Sequence, residues 1–226
     1  MSASNPSGGL VHRYLDIDAW PRRAAFEFFR HFDKPYFSVC TRVDAAALRA
    51  AAADIGGGRF SLAYHYVALR LANEMEPFRY RLESARVRIH ESIDGGGTVL
   101  RDDDSFGFVY LPYERDYAAF ARRGAAAVAA ARSPGAVFEP RLDDSALVHF
   151  TTLPWVHFTS FSHARNWGRE DSVPKIAFGR AEREGDRLWL PLSIEVHHAL
   201  LDGLDVGRYV LAFEAALRDP VRFLAR

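Results

Sequence analysis

The run Leu190-Pro191-Leu192-Ser193-Ile194-Glu195-Val196-His197-His198-Ala199-Leu200-Leu201-Asp202-Gly203 decides how this chain is read. Its first half is apolar enough for a buried strand, expected over 187–196, and a helix over 207–218 closes the chain. The two histidines and the aspartate therefore lie on the bend between a strand and a helix. Histidine is the side chain best suited to move protons near neutral pH, and a rigid sheet can hold it at a strand end. Neighbouring strand residues point to opposite faces, so His197 and His198 do not ligate one metal together; one faces a site and the other packs. Asp202 follows His198 by four residues, past a sharp bend that Gly203 permits, and its carboxylate can fix the loop through an arginine partner. A histidine pair taken alone is more often two satisfied core or turn residues. The aspartate and glycine at this spacing argue for a site.

Outward from this run, helices and strands alternate. A first helix is expected over 21–32, with Pro21 in its first turn. A strand over 36–43 leads to Asp44, which can cap a helix over 45–53. Further helices are expected over 60–74 and, strongly alanine-rich, over 117–131. Strands are expected over 79–82, 86–89, 106–111, 148–151, 157–162 and 175–182. Gly56-Gly57-Gly58, Gly95-Gly96-Gly97 and Ser133-Pro134-Gly135 read as turns, none long enough for a linker between domains. The chain is thus expected to be one domain, 1–226, of the α/β class, arranged as an α+β two-layer sandwich.

Composition narrows the function classes. The chain has 226 residues, 49% hydrophobic and 26% charged, a balance that suits a soluble globular fold with a sizeable core. Lys+Arg and Asp+Glu both number 29, so the basic excess of a nucleic-acid binder is missing. No apolar run reaches the length of a membrane span, and the polar stretch from Met1 to Leu10 does not read as a secretory signal. Cys40 is the single cysteine, which rules out an internal disulfide and any multi-cysteine metal site. The expectation is a cytoplasmic protein with no metal, no nucleic acid and no membrane partner.

HHxxxDG, here His197 to Gly203, marks a superfamily of CoA-dependent and carrier-dependent acyltransferases. Other stretches resemble the chloramphenicol acetyltransferase family in particular. They are Trp20-Pro21-Arg22-Arg23 with Phe26-Glu27-Phe28, Pro35-Tyr36-Phe37-Ser38, Asn73-Glu74 with Phe78-Arg79-Tyr80-Arg81, and Leu153-Pro154-Trp155-Val156 with Phe158-Thr159-Ser160-Phe161. Gly185-Asp186-Arg187 then leads into the histidine run, and these stretches cover nearly the whole chain in order.

The resemblance implies the fold of that family, a mixed β-sheet with flanking helices, and acetyl-CoA as co-substrate. It implies that His198 is the general base, its ring oriented by a bond back to its own main chain. Asp202 becomes structural, paired with Arg22, for which Arg23 competes. Thr151 stands where the family has the serine that stabilises the tetrahedral oxyanion. Trp155 and Arg180 fall on the CoA side, and Phe29 and Phe106 on the acceptor side. A homotrimer with active sites at subunit interfaces is implied, with a hydroxyl of chloramphenicol as acceptor and antibiotic resistance as the role. The chain departs from the family pattern at Glu195, Leu204, Asp205, Phe29, Ala177 and Ala181. Those departures leave open another small-molecule alcohol or amine as acceptor, or a catalytically inactive trimeric binding relative. Which of His65, His149, His157 and His163 reach the pocket is also open at this level.

Overall fold

The computed structural model describes residues 12–54, 59–133, 135–136, 145–165 and 170–224. The triplet 56–58 and Pro134, expected in turns, lie outside the described residues. In chain order the elements are β1 (His12–Tyr14), α1 (Arg23–Phe29), β2 (Tyr36–Asp44), α2 (Ala46–Asp54) and α3 (Phe60–Glu74). A 3-10 turn (Glu76–Arg79) leads to β3 (Tyr80–Glu83), β4 (Arg86–His90), β5 (Asp94–Leu100), β6 (Phe106–Leu111) and α4 (Tyr117–Arg132). Then come β7 (Leu147–Leu153), β8 (Lys175–Gly179), β9 (Glu182–Glu184), β10 (Arg187–His197), α5 (Gly203–Arg218) and α6 (Pro220–Leu224).

The main sheet runs β2-β10-β8-β7-β5-β6, with β9 paired to the start of β10. β7 is parallel to both β5 and β8, and the other pairings are antiparallel, so the sheet is mixed. A small antiparallel sheet, β1-β4-β3, stands beside it. Arg81 ties the two together: its buried guanidinium donates to the carbonyls of Phe78 and Tyr80 on one side and of Ser145 and Leu147 on the other.

α3 packs against α2, α4 and α5 and against β5 and β7, so it is apolar on nearly every side. Tyr66, Val67, Leu69 and Ala68 are fully buried there, and each large side chain so buried contributes about 1.5–3 kcal/mol. The sheet's helix-facing side is built from Phe150, Ile176, Ile194 and their like, all in the core cluster. Because strand side chains alternate, the other side carries a different row. Cross-strand register sets Tyr110, Gly96, His149, Lys175, Glu195 and Ser38 next to one another across six strands.

Several expectations are corrected. α1 is shorter than 21–32 and begins at Arg23. Gly95-Gly96-Gly97 is no turn but the heart of β5. A Cβ on Gly95 would lie 2.8 Å from the Phe150 ring, and one on Gly97 3.0 Å from the Phe150 carbonyl oxygen. The glycines are there for close approach to β7 rather than for a bend. Residues 157–162 form no strand, because β8 already has β7 on one edge and β10 on the other. Their aromatics lie on one another instead, Phe158 against Phe161 at 5.4 Å. The segment 175–182 breaks after Gly179 into β8 and β9.

The Gly95 contact gives a direct test. Gly95→Ala must displace a ring held against His65 and Phe178, so we expect a loss of about 1–3 kcal/mol in chemical denaturation. Unchanged stability would mean that β5 and β7 are not so closely apposed.

Candidate active site

α5 begins at Gly203, four residues earlier than expected, and Asp202 is the reason. Its side chain accepts from the backbone N–H groups of Leu204 and Asp205, while the Asp205 carboxylate accepts from the Asp202 N–H. This reciprocal pair satisfies donors that a helix start leaves open. Gly203 has no left-handed backbone; the cap at Asp202 makes the bend.

Arg22, at the start of α1, holds the same loop from outside. Its Nε lies 3.1 Å from Asp202 Oδ2, its Nη2 donates to the His198 carbonyl at 3.1 Å and its Nη1 to the Ala199 carbonyl at 3.4 Å. Arg23 pairs with Asp18 at the surface. Burial by itself would raise the Asp202 pKa. The Asp205 N–H and the Arg22 guanidinium outweigh that and hold the carboxyl below its usual range.

The two histidines separate as strand alternation requires. His197 is 4% exposed, faces Tyr36 edge-on, and accepts the Ala199 N–H on Nδ1 at 3.2 Å. Burial, reinforced by the charge of Arg165, lowers its pKa to about 4, so it is neutral at physiological pH. His198 leaves the sheet at the end of β10, its N–H donating to the Pro35 carbonyl at 2.7 Å. Its ring lies flat on Phe29, centroids 3.8 Å apart and planes 11° apart, with Phe37 at 4.7 Å. Nδ1 is 3.2 Å from the Leu201 carbonyl. A carbonyl only accepts, so in the neutral ring Nδ1 carries the hydrogen and Nε2 keeps its lone pair. The partner is the Leu201 carbonyl and not the histidine's own main chain, whose carbonyl accepts from Arg22.

On the polar side of the sheet a cavity of about 520 Å³ is lined by Thr151, His149 and Lys175 from β7 and β8, by Tyr110 and Phe108 from β6, and by Phe161 and His163 from the following loop, among others. Thr151 therefore sits in a cavity wall. Phe29 lies against His198, and Phe106 lies farther out on β6, 48% exposed. Trp155 is also exposed, and Arg180 pairs with Glu182 at 3.1 Å (Nε to Oε1). Of the four histidines left open, His149 and His163 line the cavity. His157 bonds the Arg180 carbonyl, and His65 is half-buried on the helix side, stacked on Phe150 and bonded to Thr152. Burial drives the His65 pKa down to about 3.

Sequence reasoning did not find the ionic cluster behind the cavity. Arg165 bonds Glu195 at 2.7 Å and Asp171 at 3.1 Å, and Lys175 bonds Asp171 at 3.1 Å. Burial opposes ionisation of Glu195, yet the nearby His163 ring and the Arg165 guanidinium hold its pKa at about 2. One signal was readable: Ser193, Glu195 and His197 alternate with apolar residues in a strand expected to be buried, which calls for polar partners on one face. Among the described residues no group of three or more His, Cys, Asp or Glu is gathered as metal ligands.

Comparison with known proteins bears on the chemistry. The family profile described as Chloramphenicol acetyltransferase matches residues 10–214. Chloramphenicol acetyltransferase 3 of Escherichia coli is 28% identical over 198 residues, 87% of this chain and 92% of the relative. The chloramphenicol acetyltransferase of Streptomyces acrimycini is 29% identical over 209 residues, 91% of this chain and 94% of the relative. A solved chloramphenicol acetyltransferase superposes with a TM-score of 0.82 at 26% identity, over 92% of this chain and all of that one. The cubic core of the pyruvate dehydrogenase multienzyme complex shares the fold, at a TM-score of 0.64 and 17% identity over 84% of each chain.

Two stability measurements follow. Asp202→Asn keeps a helix cap and loses the charge, whereas Asp202→Ala loses both, so the alanine variant should be less stable than the asparagine one by about 1 kcal/mol. Equal losses would deny the cap its role. The second concerns pH. His65 and His197 have folded-state pKa values of about 3 and about 4, below the ordinary 6.5 that they regain on unfolding. The unfolded chain thus binds protons that the folded chain refuses, and stability present above pH 6.5 is lost as pH falls toward 4. For His65 the loss at pH 4.5 is on the order of 2–3 kcal/mol. Urea midpoints between pH 7.5 and 4.5 should fall less steeply for His65→Gln than for the parent, and parallel curves would refute the assignment.

Proposed function

The chain belongs to the chloramphenicol acetyltransferase family, an acyltransferase family, and we propose that it transfers acetyl from acetyl-CoA to a hydroxyl group with His198 as general base. The observation that carries this is the fixed tautomer of His198, whose Nε2 keeps its lone pair while Nδ1 is committed to Leu201. Nε2 takes the proton of the acceptor hydroxyl as that oxygen attacks the thioester carbonyl carbon. The carbonyl π electrons move onto oxygen, and the Thr151 hydroxyl donates to the oxyanion so formed. Collapse breaks the carbon–sulfur bond, and the imidazolium returns its proton to the departing CoA thiolate. Arg22 acts as a positioning residue that donates to the His198 and Ala199 carbonyls, and Asp202 as one that accepts from Arg22 and caps α5. Trp155 and Arg180, both reachable from solvent, are assigned to the CoA side.

His198 is not among the residues lining the cavity that holds Thr151. The family resemblance carries the proposal of a homotrimer with active sites between subunits, in which His198 of one copy would serve the cavity of another. Acetyl-CoA is an intracellular metabolite, so the reading carries a cytoplasmic location with it. No helix among the described residues is long and apolar enough to cross a membrane. The names of the relatives make chloramphenicol the first acceptor to try, with antibiotic resistance as the role it implies. A second reading, another small alcohol or amine, is favoured by the polar row on the cavity wall. An inactive binding relative is disfavoured by the intact orientation of the His198 ring.

Free thiol release from acetyl-CoA with chloramphenicol should fall by a factor of about 10² to 10⁴ in His198→Ala if chloramphenicol is the acceptor. With a panel of other alcohols and amines the same loss should appear for whichever acceptor is turned over. Turnover that survives His198→Ala would remove His198 from the chemistry.

A further inference from the structure

We propose that the acceptor taken by this cavity carries an oxyanion, a carboxylate in the first instance, on a flat apolar body. The proposal rests on the acyl-transfer reading above and names the substrate class for it. The reasoning starts from the hydrogen-bonding groups around the cavity. The carboxylates behind it are occupied: Glu195 accepts from Arg165, from the Ser38 hydroxyl and from the His163 N–H. Asp171 accepts from Arg165, Lys175 and the Val173 N–H. Neither is among the residues lining the cavity. The lining itself is rich in donors. Lys175, whose side chain is 10% exposed, has three ammonium protons; one goes to Asp171 and one lies toward His149 Nδ1 at 3.4 Å. An ammonium only donates, so that contact puts the His149 hydrogen on Nε2.

His163 is the decisive member. Its side chain is 8% exposed and lines the cavity, yet both ring nitrogens are buried without a hydrogen-bond partner, the Glu195 carboxylate standing 3.8 Å away. Buried polar atoms are ordinarily paired, and the exceptions call for a ligand or a function. A leucine here would pack without that cost. The side chains available to a guest are thus a histidine whose Nδ1 has only the distant Glu195 carboxylate and whose Nε2 has no hydrogen-bond partner, and a lysine with a proton to spare, both among the lining residues. A carboxylate supplies the lone pairs they lack and the charge that the ammonium prefers. Phe108, Tyr110 and Phe161 supply aromatic walls for the body of the guest. Thr151 and His149 are two residues apart on β7, roughly 6–7 Å, so the reacting oxygen and the oxyanion sit at opposite ends of a small molecule. A para-substituted benzene ring spans a comparable distance.

The probe is 4-(hydroxymethyl)benzoate against its methyl ester, which keeps the alcohol, the ring and the carbonyl and removes the charge. Binding to the full-length protein is measured by calorimetry in the presence of acetyl-CoA, and turnover by thiol release. The carboxylate is expected to bind at least tenfold more tightly than the ester, and His163→Leu and Lys175→Met should each cut that ratio at least fivefold. His163→Leu should also raise the melting temperature, which reports a folded variant even where Lys175→Met folds poorly. A wild-type ratio below tenfold, no binding of either compound, or a ratio untouched in His163→Leu overturns the proposal. Failure of the acyl-transfer reading looks different. There the carboxylate would still be preferred in binding, while no acceptor gave thiol release sensitive to His198→Ala.

Discussion

One guanidinium closes the junction on which the site depends. Arg22 reaches from the N-terminal cap position of α1 to two carbonyls and a carboxylate of the loop between β10 and α5. It is only 20% exposed, so these bonds are made where solvent screens them weakly. Three features meet at this contact. The loop that Arg22 holds carries the Leu201 carbonyl, which the His198 ring meets through Nδ1. α1 is drawn to the loop, which brings Phe29 flat beneath the ring. Asp202 is held where its other oxygen caps α5. The ion pair itself contributes little by surface standards, about 0–1 kcal/mol, since Asp202 is 38% exposed. Its value lies in geometry, because a general base must be positioned before its basicity matters.

The main sheet does two jobs because its two faces differ. The face under the helices is apolar and supplies the core, as Ile176, Ile194 and Phe150 do. The other face carries a lateral row of residues, one from each of six strands, from Tyr110 to Ser38, and all but Gly96 bear polar side chains. Such a row forms only when register is fixed, since a slip of one residue would exchange the faces and bury the charges under the helices. The glycines of β5 belong to the same arrangement. Gly96 is the member of the row without a side chain, and its place lies between Tyr110 and His149, where the cavity opens.

Much of this was legible in the sequence. α3 and β6 have the expected bounds because their signals are local: a long apolar helix, and a strand of alternating aromatic and aliphatic residues. The strand–loop–helix run was read correctly except for the helix start, where the Asp202–Asp205 cap outweighed the helix-breaking tendency of Gly203. The glycine triplet in β5 and the aromatic stretch 157–162 were misread for one reason. Local composition reports what a residue can do, whereas here tertiary proximity decided: Phe150 crowds the glycines, and a sheet with no free inner edge refuses the aromatics. The cluster of Arg165, Asp171, Lys175 and Glu195 was illegible because its members come from a loop and two strands that only the fold brings together.

That cluster also bears on why the cavity is polar at all. Replacing a buried ionic group by apolar residues of similar size is often neutral or stabilising, so its retention is weak evidence for a stabilising role. The charges nearest the cavity are balanced, two carboxylates against Arg165 and Lys175, which keeps the cluster tolerable when empty. Balance does not satisfy every donor, and the His163 ring and one Arg165 nitrogen are left without a hydrogen bond. A fold selected for stability alone would have filled these positions with aliphatic side chains. A fold selected to hold a polar guest would keep the donors and accept the cost when empty, recovering it on binding. The same logic separates His197 from His198. Burial keeps the first neutral and packed in the sheet, while the second stands outside the sheet with one nitrogen committed and the other left for chemistry.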